Sequence, residues 1–431
     1  MIYGIWSGKT QHFVEYLAAK NRRVLQRASL SKYSFIFYTI RFRFRKGKIN
    51  LTVWLEVCEV PIMINNWIVS VLKELVSRNS VNPAYGGPGE KEKADFLQSF
   101  LENMGLRVKR YEVTDEKGFV RPSIVTEIGK GDTIWIIAHT DIVPPGKGWE
   151  SDPFKLKVEG DKVYGRGVND NGIGIVSALY VLKQIIEHEH PLNYKLKIGF
   201  VADEEAGSKY GLKYLIEKDV FKKGERALVP AGGYKKGDMI EIAEKGILWV
   251  KMVTKGKQVH GSMPAKGDNA FLKSMRFATK LYDVLHEKYD KSDSLFDPPN
   301  STFEPTMKEK NVDSINIVPG EDVHYWDCRV LPDYKLDDVL KTMQTVADEF
   351  NTKVEIVMRE DASRVDSSDW IVQKTVTAVK KVIGVEPKLM GIGGGTFAGI
   401  LRKMGIPSVV WHIGSETEHT PNEWELISNY I

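Results

Sequence analysis

The sequence predicts an α/β fold: a mostly parallel sheet flanked by helices, with a second, α+β domain inserted into it. Three observations carry this. The apolar runs TIWIIAH and KLKIGFVA alternate with helical patterns over 172–187 and 209–218, the order that builds a parallel sheet covered on both faces. Between residues 246 and 364 the runs ILWVKMVT, SINIVPG with DVHYWDCRVL, and TKVEIVM read instead as antiparallel strands, accompanied by helical patterns over 271–288 and 336–350. From Trp370 the first pattern resumes: helix, KLMGI, helix, PSVVWHI. The expected division is a basic extension over 1–62 outside the fold, one domain from 63–245 and 365–431, and an inserted domain over 246–364.

Element by element, residues 1–62 lack a convincing period, although RFRFRKGK alternates like a strand. Residues 1–50 hold eleven Lys or Arg against the single acid Glu15, out of 61 basic and 57 acidic residues overall, so the formal charge of +4 conceals a net acidic remainder. A basic arm without a compact motif reads as a tail, and nucleic acid is not favoured as a partner. Helical spacing begins at 67–78 and recurs over 91–104 before Gly105 stops it. Cys58 and Cys328, the two cysteines, make no disulfide framework and point to a reducing compartment. The longest apolar stretches, such as YSFIFYTI, fall far short of a bilayer span. A cytoplasmic location is expected.

Chemistry gathers at the ends of the apolar runs. His139 and Asp141 lie in IIAHTD, Asp170 in GRGVNDNG, Glu204 and Glu205 in VADEEAG, and His419 in ETEHTPNEW. Imidazole and carboxylate donors suit divalent metal, and an acid left unbound would move protons. Singly, each has a plain alternative: a core histidine, a helix-capping turn at Asp170, solvated charges opening a helix at Glu204 and Glu205. Those alternatives do not explain why all of them fall on one edge of the sheet, where ligands of open α/β sheets bind.

HTD, GRGVNDNG, DEEAGS, HGSMP, NIVPGE, GGGT and EHTPNEW, in this order over roughly 63–431, resemble the dinuclear zinc peptidase family that includes succinyl-diaminopimelate desuccinylase, acetylornithine deacetylase, aminoacylase and several dipeptidases and carboxypeptidases. The resemblance implies His139 as ligand of one zinc, Glu205 and His419 as ligands of the other, Asp170 as bridge, Glu204 as general base and Asp141 as orienter of the imidazole. In the inserted domain it implies that His260 polarises the scissile carbonyl and that Asn316 and Arg329 hold the substrate, with Gly395 and Thr396 touching it. For Arg329 an ion pair with Asp327, two residues away on the same strand face, is the competing expectation.

The chain departs from the family in two places. Where relatives place the last carboxylate ligand of the first zinc, RALVPAGG offers Ala231, so one zinc is expected to be tight and the second weakened; Asp238 and Glu241 lie several residues downstream and neither is expected to substitute, while cobalt is expected to be able to replace zinc. ELISNYI reads as a helix cut short. The expected activity is hydrolysis of the amide bond of an N-acyl or N-succinyl amino acid or a dipeptide by a homodimer, with His260 reaching the neighbouring subunit's site. The alternative is an impaired homologue serving as a binding or scaffold protein.

Overall fold

The computed structural model describes residues 36–45, 48–57 and 60–431. The chain divides into two compact units, Met1–Ser70 and Val71–Ile431. In the first, β1 (Ile36–Arg45) and β2 (Lys48–Val57) pair antiparallel from Ile36 opposite Val57 to Arg45 opposite Lys48. The alternation in RFRFR is therefore a strand; most of what was expected of residues 1–62 otherwise lies outside the described residues. Helix α1 (Val60–Ser77) carries Val71, Leu72, Leu75 and Val76 into the core of the second unit.

Within that unit the elements run α2 (Lys91–Asn103), β3 (Val108–Thr114), β4 (Val120–Ile128), β5 (Thr133–His139), β6 (Lys157–Glu159), β7 (Lys162–Tyr164), α3 (Ile173–Glu187), β8 (Lys195–Val201), α4 (Leu212–Glu217), β9 (Arg226–Val229) and β10 (Met239–Glu244). Then come β11 (Gly246–Lys255), β12 (Val259–His260), α5 (Ala270–Lys288), β13 (Thr302–Lys308), β14 (Ile317–Val318), β15 (Glu321–Val330), α6 (Leu336–Asp348) and β16 (Thr352–Glu360). The chain ends with β17 (Ser363–Arg364), α7 (Trp370–Ile383), β18 (Lys388–Ile392), α8 (Phe397–Lys403), β19 (Ser408–Val410) and β20 (Trp424–Leu426).

The large sheet has the order β17-β10-β19-β9-β5-β8-β4-β3, with β18 also on β10. Its centre, β19-β9-β5-β8, is parallel, as expected. The β3–β4 hairpin adds an antiparallel edge that the apolar runs did not announce. Period-2 alternation sends neighbouring residues to opposite faces: Trp135, Ile137, Ala227 and Val229 pack with Leu212 and Leu215 of α4 and Phe397 and Leu401 of α8, while Ile134 and Leu228 meet Ile371, Val372 and Val379 of α7. Helices thus cover both faces.

The second sheet, β13-β15-β11-β16, is antiparallel throughout. Leu248, Val250 and Met252 of β11 and Trp326, Cys328 and Val330 of β15 alternate onto Phe277, Leu281 and Leu285 of α5 and Val339, Met343 and Val346 of α6. The opposite face carries Trp249, which is exposed. At the end of the chain the expected helix is instead a strand: Trp424 pairs with Tyr164 and Leu426 with Lys162, followed by a single 3-10 turn over Ile427–Tyr430. The reason is Glu425, fully buried and bonded to Asn169 and Ser415, which an exposed helix face would not hold inside. Among the described residues no helix is long and apolar enough to cross a membrane.

Trp135 sits in β5 two pleat repeats before His139, packs on the tilted ring of Phe221 with centroids 4.6 Å apart and donates its indole N–H to Glu225. Replacing it with alanine removes a fully buried ring. The Trp135→Ala variant is expected to lose about 3–5 kcal/mol in urea unfolding, with the strand end beyond it loosened as well.

Candidate metal centre

Strands β5 and β8 run parallel with His139 opposite Val201, so the residues that follow them leave the sheet side by side. This register brings HTD next to DEE. Asp141, fully buried, accepts the backbone N–H of Glu204 at 3.0 Å on one oxygen and that of Glu205 at 3.1 Å on the other. The same second oxygen accepts from Asn82 Nδ2 at 2.8 Å. His139 Nδ1 lies 3.1 Å from the Asp141 carbonyl oxygen and 3.6 Å from its carboxylate. The backbone carbonyl is thus the closer acceptor, and a proton held there leaves Nε2 free.

Asp170 arrives on the loop that opens α3. Glu423 accepts the N–H groups of Gly167, Asn169 and Asp170 at 2.8 to 3.0 Å and the guanidinium of Arg166 at 2.6 Å. Asn171 donates to the Pro230 carbonyl at 2.7 Å. Gly174 makes room for this: a Cβ there would lie 2.0 Å from Asn171 Oδ1. So held, Asp170 presents one oxygen 2.8 Å from His139 Nε2 and the other 3.0 Å from His419 Nε2. His419 Nε2 is also 3.2 Å from Glu205 Oε2. Donor atoms of His139, Asp170 and Glu205 lie within 4.8 Å of one another.

The charges respond to this crowding. Burial disfavours a charged His139, but Asp170 and Asp141 outweigh it and hold the imidazole well above its usual range. Burial opposes ionisation of Asp170, yet His139 and His419 keep its carboxyl far below the ordinary value. Hydrogen bonds to Asp170 and Glu205 lift His419 to about 10. Burial pushes the Glu204 carboxyl up to about 8, with Glu205, Asp170 and Asp141 adding to the rise against His139. Such a site suits a cation: among the described residues Glu205 Oε1 is buried with no hydrogen-bond partner, and imidazole plus carboxylate is the donor set of a borderline divalent ion. The residues fit a divalent metal.

Ala231, just past β9, is half-buried against the apolar cluster of Trp135 and Val229 and offers no donor. Neither Asp238 nor Glu241 fills its place. Glu241 is paired with Arg402 at 2.7 Å, and among the described residues Asp238 joins no potential metal-ligand group.

Glu204, Glu205 and His419 form one end of a cleft of about 310 Å³ whose other lining includes Glu244, Lys245, Ile247, Met358, Gly395 and Thr396. Thr396 caps α8 by accepting from Ala398 N and donates to Glu244 at 2.7 Å. His260 and Asn316 are exposed and approach each other at 3.5 Å, away from the residues lining this cleft. Arg329 does what the competing expectation held: Nε and Nη2 bond Asp327 at 2.7 and 3.0 Å, and Nη1 bonds the Gly393 carbonyl.

Sequence reading missed the supports beneath the ligands. Asn82 bridges Asp141 to Asp203, and Arg121 joins Asp203 to Glu90 and Asp115, all of them buried. Asp203 and Glu423 at least lay inside quoted motifs; Asn82, Glu90 and Arg121 had no signal of their own.

The profile of Peptidase family M20/M25/M40 matches residues 135–430. An uncharacterized metallohydrolase of Methanococcus maripaludis is 41% identical over 396 residues, 84% of this chain and 95% of the relative. A succinyl-diaminopimelate desuccinylase of Nitratiruptor sp. is 26% identical over 361 residues, 83% of this chain and 94% of the relative. In fold the chain is similar to the crystal structure of aminopeptidase PepT from Bacillus cereus, with a TM-score of 0.69 and 22% identity over 85% of this chain and 95% of that one. The profile match and the archaeal relative, together with a metal-ligand cluster on the shared sheet edge, establish that this chain belongs to peptidase family M20/M25/M40 and is a metal-dependent hydrolase.

Proposed function

We propose that the protein is a zinc-dependent amidohydrolase that cleaves the amide bond of an N-acyl amino acid, N-succinyl amino acids included, or of a dipeptide. The observation that carries this reading is the convergence of His139, Asp170, Glu205 and His419 with Glu204 at the mouth of one cleft. His139 and Asp170 would hold one zinc, and Asp170, Glu205 and His419 the other, with cobalt able to replace them. Bound there, the ions supply Lewis acidity and lower the pKa of water. Among the described residues no side chain hydrogen-bonds to the Glu204 carboxylate, and the rise that burial gives its basicity suits a proton carrier. It takes the proton of the attacking water and returns it to the departing nitrogen. Asp141 fixes the main chain of both glutamates, so base and ligand are positioned by one carboxylate.

His260 and Asn316, adjacent to each other but away from the cleft, would complete the site of a partner subunit in a homodimer, polarising the scissile carbonyl and holding the substrate. The desuccinylase relative favours an acyl-amino-acid substrate. The cysteine-poor composition favours the cytoplasm. Assay of the purified protein on a panel of N-acyl amino acids and dipeptides, with and without added zinc or cobalt, tests the reading; inactivity on all of them in the metal-loaded protein refutes it.

Glu204→Gln is expected to abolish turnover with metal content unchanged, whereas Glu205→Gln loses metal as well, since one carboxylate is a base and the other a ligand. Elemental analysis beside steady-state rates separates the two. Equal metal loss from both would overturn the division of roles.

Ala231 leaves the first ion with two protein ligands, and fewer protein ligands mean weaker retention. Dialysis against a mild chelator should leave one ion per chain, and Ala231→Asp should raise that number towards two and increase activity at low metal. Retention of two tight ions by the unmodified protein would show that another group fills the position.

Mixing His260→Ala chains with Glu204→Ala chains under conditions of demonstrated subunit exchange should recover part of the activity that each lacks alone. One composite site per mixed dimer is then intact. No recovery would place His260 outside the partner's site.

A further inference from the structure

Among the described residues, one lysine in the cleft lining has no carboxylate partner. Lys245 joins β10 to β11, is 4% exposed, and lines the same cleft as Glu204, Glu205 and His419. Its ammonium donates to the carbonyl oxygens of Pro298 at 2.8 Å and Asn300 at 2.6 Å and lies 5.6 Å from the centroid of the Phe296 ring. An ammonium has three N–H donors, so one remains after these bonds. Among the described residues no Asp or Glu comes within ion-pair distance of it; Asp297 acts on it only from farther away. Lysine is seldom buried unless paired, because a desolvated charge without a counter-ion is costly.

The other cations near the cleft each have a carboxylate partner. Lys403, also in the lining, pairs with Glu360 at 2.6 Å, and Lys213 pairs with the other oxygen of the same glutamate at 2.7 Å. Arg329, expected to hold the substrate, is committed to Asp327 and to Gly393. Around Lys245 the cleft is otherwise acidic, with Glu204, Glu205, Glu244, Glu360 and Asp361 in its walls. Lys213 and Lys403 share the single negative charge of Glu360, whereas at Lys245 no carboxylate of the described residues competes with an entering anion for the ammonium.

We propose that Lys245 is a specificity-determining residue that binds the free carboxylate of the substrate through its remaining N–H, while the scissile amide lies at the His139, Asp170, Glu205 and His419 end. The proposal rests on the reading of this site as an amide hydrolase. It replaces Arg329 with Lys245 as the group that selects substrates ending in a carboxylate.

The test measures binding apart from turnover. Zinc-loaded full-length Glu204→Gln protein is titrated calorimetrically with glycyl-leucine and N-acetyl-leucine, each against its carboxamide. A charge-assisted hydrogen bond to a buried ammonium should favour the carboxylate forms by about tenfold or more. Adding Lys245→Met, which keeps the length of the side chain, should bring the ratio to about one with the carboxamide affinity unchanged, and Lys245→Arg should restore part of the preference. Thermal melts check that the Phe296–Asn300 segment still folds; if Lys245→Met melts early, Lys245→Gln and the Arg variant carry the comparison. A carboxylate preference that survives removal of the charge, equal weakening of acid and amide, or no preference in Glu204→Gln protein overturns the proposal. Preferential binding that depends on Lys245, in a wild-type protein that hydrolyses neither compound, would instead count against the hydrolase reading.

Discussion

The structure depends on holding several carboxylates in one buried place. Asp141, Asp170, Asp203, Glu204, Glu205 and Glu423 crowd around the ends of β5 and β8, and like charges at such range repel strongly in a medium of low polarity. Three of them are answered by specific donors. Asp141 receives main-chain N–H groups and Asn82, Asp203 receives Arg121 and Asn82, and Glu423 receives Arg166 and the amides of the Asp170 loop. What these supports leave unmet is the inner edge of the cluster, where Asp170 and Glu205 face only two imidazoles. A divalent cation is the completion that this donor set fits.

That arrangement needs distant segments of chain to meet, and the sheet makes them meet. A parallel register sets His139 beside Val201, the loop before α3 reaches over the strand ends, and the last strand, β20, pairs with β7 so that Glu423 and Glu425 lie under Asp170. The second sheet closes the cleft from the other side. Its strands enter and leave next to Lys245 and Glu360, and Glu360 is stitched to Lys213 of α4 and Lys403 of α8.

Much of this was legible from residue types and periods. The amphipathic helices α2 and α5 fall within one residue of the spans their spacing predicts, because a buried stripe of Leu and Phe repeats every 3.6 residues. The cluster itself was legible as imidazoles and acids at the ends of apolar strands. The β3–β4 hairpin was not, since β3 is only partly covered and carries Arg110 and Glu112 among its apolar residues. Nor was the final strand, whose buried position is taken by a glutamate. The supports were invisible for a different reason: Asn82 and Asp141 are 59 residues apart and Arg121 and Asp203 are 82, and no local pattern encodes a hydrogen bond across such a separation. Arg329 illustrates the converse. Its partner Asp327 is so close in sequence that the ion pair could be anticipated from the strand period alone.

The segment around Ala231 separates scaffold from donor. The backbone that would carry a third ligand is still tied to the site, since the Pro230 carbonyl accepts from Asn171, the residue next to Asp170, and Gly233 N–H donates to His412. What is missing is only the side chain's lone pair. A position lost through local refolding would have released Asn171 and with it the Asp170 loop; here that loop keeps every bond from Glu423. On the proposed reading Ala231 would therefore affect only how strongly one ion is held, while the contacts that set Asp170, Glu205 and His419 stay in place.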